Sequence, residues 1–139
     1  YTAWLERLNE INAFRDSLGL MDKEVFFTEL GYSNYDGATL YPWQGHGFAL
    51  LEGREQDSLL LYRTQPVNPQ ERIQAVNALR RAVRDTRFPL RGIVYWKLTT
   101  YFHQVREDPF ALYLHHKSKE GLLGALQAFS EEDWGQLGR

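Results

Sequence analysis

Cysteine is absent from the chain, which excludes a disulfide scaffold and any thiol chemistry. That absence leaves the compartment open, because many exported proteins also lack cysteine. No run approaches the roughly 18 to 20 consecutive apolar residues that a spanning helix needs, so no membrane partner is expected. Neither sign of charge is in excess: Lys and Arg number 16 against 18 Asp and Glu, a net charge of −2. Without a basic field, nucleic acid is not an expected partner. The opening Tyr1-Thr2-Ala3-Trp4 has no initiator Met and no basic stretch leading into an apolar one, so the chain reads as an excised or processed piece. Internal repeats and low-complexity segments are also missing.

What remains is an ordinary globular composition, 43% hydrophobic and 24% charged over 139 residues. That length suits one domain with a real core, not two. Aromatics stand out, with four Trp, eight Tyr and eight Phe. Such rings build cores, and exposed ones form stacking platforms for sugars.

Trp4, Leu8, Ile11, Phe14 and Leu18 recur at helical spacing and predict one apolar face of a helix over about residues 2 to 18, stopped by Gly19. Val25-Phe26-Phe27-Thr28-Glu29-Leu30 follows as an apolar strand without alternation, the pattern of a strand buried on both faces of a parallel sheet. Residues 31 to 67 form a long Gly- and Tyr-rich connection, in which Leu59-Leu60-Leu61-Tyr62 is a short strand or helix. Asn68-Pro69-Gln70-Glu71 opens a second helix with an Asn cap, a Pro at the first position and Glu71 completing a capping-box-like arrangement. Ile73, Val76, Leu79 and Val83, with Ala75 and Ala82, make its core face. Arg72, Arg80, Arg81 and Arg84 mark its solvent side. Gly92-Ile93-Val94-Tyr95-Trp96 reads as a second buried strand. A third helix over about residues 119 to 129 presents Leu122, Leu123, Leu126 and Phe129, and Ser130-Glu131-Glu132-Asp133 begins a short terminal turn. The order is that of a right-handed β–α–β unit with flanking helices, an α/β fold. Two parallel strands cannot cover their own faces and edges. Either the long connection adds strands or the chain is part of a larger fold, and the second is the expectation.

Glu29 is the most informative residue. A carboxylate at the end of a buried strand is costly unless paired, hydrogen-bonded or facing a wet cleft, so it is either a catalytic group or a structural ion-pair carboxylate. Function in parallel α/β folds sits at the C-terminal ends of strands, where Glu29, Trp96 and Lys97 lie. The loop after the first strand carries Tyr32, Asn34, Tyr35, Asp36, Tyr41, Trp43, Gln44 and His46; the loop after the second carries Tyr101, His103 and Asp108. A carboxylate among Trp, Tyr, Asn and His is the composition of a carbohydrate subsite. Adjacent His115-His116 is not spaced for one helical face, so no metal site is expected, and no cofactor is implied. Gly45-His46-Gly47 lacks the pattern and context of a phosphate loop.

Phe27-Thr28-Glu29-Leu30-Gly31-Tyr32, followed after the Asn-Pro helix by Gly92-Ile93-Val94-Tyr95-Trp96-Lys97, resembles the C-terminal part of (β/α)8-barrel retaining glycoside hydrolases, closest to the family 113 endo-β-mannanases. The resemblance covers nearly all of residues 1–139 but only the last quarter to third of such a barrel, which runs to about 250 residues. It implies a partial TIM barrel in which Val25–Leu30 is strand seven and Ile93–Trp96 strand eight. Glu29 is then the nucleophile and Trp96 the platform beneath the reacting sugar. Asp108-Pro109-Phe110 and Lys117-Ser118-Lys119-Glu120 resemble the loop into the last barrel helix. The implied partners are a β-linked polysaccharide, β-1,4-mannan first, and the remaining N-terminal barrel portion, whose strand four would supply the acid/base.

Other residues keep two readings. Tyr32 hydrogen-bonds Glu29 or caps the barrel top; Tyr41 and Trp43 line a subsite or anchor a packed loop; His103 touches substrate or belongs to a surface loop. Trp4 and Trp134 are most simply core. The competing functions are a barrel-derived domain that binds glycan without cleaving it and a structural half-barrel that associates with another chain.

Overall fold

The computed structural model describes residues 1–40, 48–52, 59–63, 65–101, 108–114 and 121–131. The fold is mixed α/β. In chain order the described elements are α1 (Thr2–Ser17), β1 (Val25–Leu30), β2 (Phe48–Glu52), β3 (Leu59–Arg63), α2 (Pro69–Thr86), β4 (Leu90–Tyr95), β5 (Leu98–Thr99), β6 (Leu112–Tyr113) and α3 (Gly121–Ser130). Among the described residues the strands make three separate two-stranded sheets: β1 with β4 in parallel, β2 with β3 antiparallel, and β5 with β6 in parallel. The long connection does supply strands, but β2 and β3 pair with each other and add nothing to the β1–β4 sheet. Among the described residues no barrel is evident.

The chain divides into two compact units. The first comprises Tyr1–Leu30, Ile73–Tyr95 and the described residues 121–131; the second comprises the described residues of Gly31–Arg72 and Trp96–Lys119. The chain passes from one unit to the other at the C-terminal ends of β1 and β4.

In the first unit, α1 runs as its spacing predicts, with Leu8 buried and Trp4 and Ile11 half-buried on the expected face, but its last turn departs from it. Arg15 is buried, while Phe14 and Leu18 are exposed. The reason is Arg15, whose guanidinium donates to the carbonyls of Leu20, Met21 and Lys23 and to Asn12 Oδ1. One long side chain thereby ties the turn after α1 to the approach of β1. The helix ends in a Schellman motif: Gly19 has φ +66°, its N–H donates to Asp16 O at 2.9 Å, and Leu20 N–H donates to Arg15 O at 2.9 Å. The end of α2 repeats this geometry with Arg87 at φ 51°, Phe88 N–H donating to Val83 O at 3.0 Å. Pro89 then prevents the helix from continuing.

The core of this unit is Leu8, Leu30, Ala75, Val76, Leu79, Ala82, Val83, Phe88, Leu90, Leu122, Ala125 and Phe129. Both the α2 stripe and the α3 stripe read from the sequence contribute to it. Trp4 stacks on Phe27 at 6.3 Å between centroids, and Phe27 meets Phe88 at 6.2 Å, linking α1, β1 and the end of α2. Trp4 is packed as expected; Trp134 lies outside the described residues. At the surface, Tyr1 donates its hydroxyl to Asp85 at 2.6 Å and Arg81 lies over the Tyr1 ring, joining the starts and ends of the two long helices.

The β1–β4 sheet is not buried on both faces, contrary to the sequence reading. Phe26 is 53% exposed and Val94 51%. An apolar run without alternation looks the same whether both faces are covered or one lies open, and among the described residues no further strand joins this sheet. Phe26 partly covers itself by lying across its register partner Gly92, where an added Cβ would stand 2.6 Å from the ring.

The second unit has a small core built largely from loop residues: Tyr32, Ser33, Tyr35, Ala38, Arg72, Thr99, Ala111 and Leu112. Arg72 corrects its sequence assignment to the solvent side. It is 2% exposed, with Nη1 donating toward Ala111 O at 3.5 Å. Glu71 also differs from expectation. Instead of turning back to the Asn68 N–H, which donates to Asn34 O at 2.7 Å, its carboxylate accepts from Gly37 N at 2.8 Å, Thr39 N at 2.7 Å and the Thr39 hydroxyl at 2.5 Å. Asn68 Nδ2 donates to Asp36 Oδ1 at 2.8 Å. The first turn of α2 therefore holds the 35–40 turn rather than capping itself. A local pattern cannot reveal a partner more than thirty residues away.

Candidate functional site

Glu29 is the penultimate residue of β1, and its setting depends on the register of the parallel pair. Phe27 is opposite Ile93 and Leu30 is opposite Tyr95, so β1 spends three steps where β4 spends two. One extra residue is inserted in the Thr28–Glu29 stretch. A bulge of this kind breaks the in-out alternation and re-aims side chains, and bulges gather next to active sites. The burial pattern carries the mark of it: Thr28 and Glu29 are both exposed and Leu30 is buried. Among the described residues the Glu29 carboxylate has no ion pair or hydrogen bond. Burial, the premise that first marked this carboxylate, is thus replaced by a different distinction: an unpaired acid in a bulge at the C-terminal end of a parallel strand.

Leu30 and Tyr95 are register partners, so Gly31 and Trp96 leave the sheet side by side. Their backbones approach so closely that a Cβ on Gly31 would run into the Trp96 carbonyl oxygen. Glycine at 31 is a steric requirement of that approach.

Trp96, in the second unit, is 49% exposed, and the Trp96–Lys97 peptide bond is cis. Lys97 lies over the Trp96 ring, with Nζ 5.8 Å from the centroid, and also pairs with Asp108 Oδ2 at 2.5 Å. Asp108 in turn accepts from Phe110 N–H at 2.9 Å through Oδ1 and from Ala111 N–H at 3.1 Å through its carbonyl. That is the Asp-initiated turn which the Asp-Pro dipeptide favours. The Lys97 backbone is fixed as well: its N–H donates to Phe110 O at 3.4 Å and its carbonyl accepts from Leu112 N–H at 2.9 Å. The loop after β1 joins this assembly through Asn34, whose N–H donates to Pro109 O at 2.9 Å.

Of the residues singled out from the sequence, Glu29 stands at the end of β1 and Trp96 immediately after β4. Tyr32 is buried in the second unit's core. Tyr41, Trp43 and His103 lie outside the described residues, as do His46, His115 and His116. Among the described residues no group of three or more His, Asp or Glu could hold a metal ion. Sequence reading missed the Lys97–Asp108 pair, for which the only signal was a Lys after a strand-end Trp and an Asp before a Pro. It missed the Glu29 bulge entirely, since an inserted residue leaves no mark in composition or periodicity.

Comparison with known proteins finds no matching family model, no matching curated relative and no matching solved structure.

Proposed function

We propose that the chain is the C-terminal part of a (β/α)8-barrel retaining glycoside hydrolase acting on a β-linked polysaccharide, with β-1,4-mannan the first substrate to test. The observation that carries this reading is Glu29, in a bulge at the C-terminal end of a parallel strand, with a carboxylate that has no ion pair or hydrogen bond among the described residues. The absence of an ion-pair partner among the described residues weighs against the structural-carboxylate alternative. The resemblance of Phe27–Tyr32 and Gly92–Lys97 to family 113 mannanases points the same way.

In this reading a Glu29 oxygen attacks the anomeric carbon and forms an ester bond as the glycosidic C–O bond breaks. A second carboxylic acid, about 5 to 5.5 Å away, protonates the leaving oxygen. That group then takes a proton from water, which hydrolyses the ester and returns the Glu29 carboxylate. Trp96 stacks against the C–H face of the sugar. By the resemblance the second acid belongs to strand four, outside these 139 residues, so the 139-residue chain is expected to be inactive by itself.

The experiment is Glu29→Gln in the intact protein. Mannan hydrolysis should fall by at least about a thousandfold, the scale of losing a nucleophile, with an unchanged thermal midpoint. Undiminished turnover would remove the assignment. The half-exposed Trp96 also suits the second reading, a glycan-binding domain without hydrolysis. An intact protein that binds mannan and never cleaves it, with or without Glu29, would establish that reading instead.

A further inference from the structure

Lys97 is held from three directions at once. Its backbone is bonded on both sides to the 110–112 segment, its ammonium pairs with Asp108 at 2.5 Å, and the same ammonium lies 5.8 Å from the centre of the Trp96 ring. A lysine side chain ordinarily carries large rotamer freedom, about 2 kcal/mol of it. The Asp108 carboxylate removes that freedom, and Asp108 is itself fixed by its bond from Phe110 N–H. A cation within about 6 Å of an indole face is attracted to it. The exposed ring is therefore backed by an ordered charge rather than left to rotate in water.

We propose that Lys97 and Asp108 are positioning residues that mount the Trp96 indole, and that their mutual charge cancellation makes this subsite select uncharged sugar rings over uronate rings. The proposal rests on the glycoside-hydrolase reading for its ligand class; the mount itself does not. Lys97 alone beside the platform would attract a sugar carboxylate. Paired with Asp108 it contributes no net charge, so an anionic sugar gains nothing there. Replacing Asp108 by Asn keeps an oxygen that can accept from Phe110 N–H and so keeps the turn, while releasing the Lys97 charge.

The test is an NMR titration of the intact protein, following its tryptophan indole N–H signals, with Trp96 assigned by its loss in Trp96→Phe. The probes are β-1,4-mannohexaose and the β-1,4-linked mannuronate hexamer, at low salt. In the unliganded chain, Lys97→Met should shift the Trp96 indole signal and lower its heteronuclear NOE, and Lys97→Arg should restore both. Wild type should bind the neutral hexamer in preference to the anionic one. Asp108→Asn should move the ratio of the two affinities toward the anionic hexamer by about fivefold, the worth of one partly exposed charge. A Trp96 signal unmoved by Lys97→Met would overturn the mount, and an unchanged affinity ratio in Asp108→Asn would overturn the selectivity. If neither hexamer shifts Trp96 in wild type, the sugar reading falls, while the unliganded comparison still decides the mount.

Discussion

At the scale of single residues, most of the candidate site depends on positions whose meaning is set by what approaches them in space. Gly31 is the clearest case. Any side chain there collides with the Trp96 carbonyl, which is backbone and cannot swing away. Gly31→Ala should lower stability by about 1 to 3 kcal/mol, the usual cost of overpacking, and urea unfolding would measure it. It should also displace the Trp96 indole resonance; a variant of wild-type stability with an unmoved Trp96 signal would refute the close approach. Glu29 was legible in the sequence as an unusual carboxylate at a strand end, yet the reason was only partly right. Its strand is half exposed, and the distinguishing feature is the inserted residue beside it. Arg72 sits on the helix face that the sequence assigns to solvent, and Arg15 is a charged residue near the end of α1. Both are buried, because long guanidinium side chains can satisfy carbonyls that no other local group reaches.

At the scale of elements, helix limits and pairing direction were largely readable, because caps, prolines and apolar periodicity act locally. The faces were less so. The Tyr1–Asp85–Arg81 contact joins α1 to α2 through charge and hydrogen bonding, and it should respond to pH at both ends. The hydrogen bond from Tyr1, helped by Arg81 and Arg84, holds the Asp85 carboxyl below its ordinary value of 3.8. The folded state thus binds fewer protons there than the unfolded chain, and the stabilisation is present above pH 3.8 and lost as pH falls through the folded value. The hydrogen bond to Asp85, with a smaller desolvation effect, raises the Tyr1 hydroxyl above its ordinary 10.0. Its contribution is present below pH 10.0 and lost as pH rises through the folded value. Urea midpoints followed from acid to alkaline pH should fall more steeply on both flanks for wild type than for Tyr1→Phe. Parallel curves for the two proteins would show that the contact adds nothing.

At the scale of the whole molecule, the β1–β4 sheet stands out. Among the described residues each of its strands has one unpaired edge, and Phe26 and Val94 lie exposed on it. Open edges and apolar faces are where chains associate. Sedimentation velocity across a range of concentrations should detect self-association of the chain, and Val94→Lys should reduce it. A monomer at every concentration would refute the association.

The sequence by itself determined the class of fold, the three main helices, the parallel β–α–β order and the positions of Glu29 and Trp96 at strand ends. Those features follow from local chemistry: helical periodicity, capping residues, and the fact that a helix between two strands returns the chain in the same direction. Only the tertiary structure decided the register that inserts a residue beside Glu29, the approach that forbids a side chain at Gly31, and the pairing with Asp108 of the Lys97 that lies over Trp96. Each of these depends on which distant residues meet, and a contact between groups far apart in the chain has no signature in the spacing of either partner.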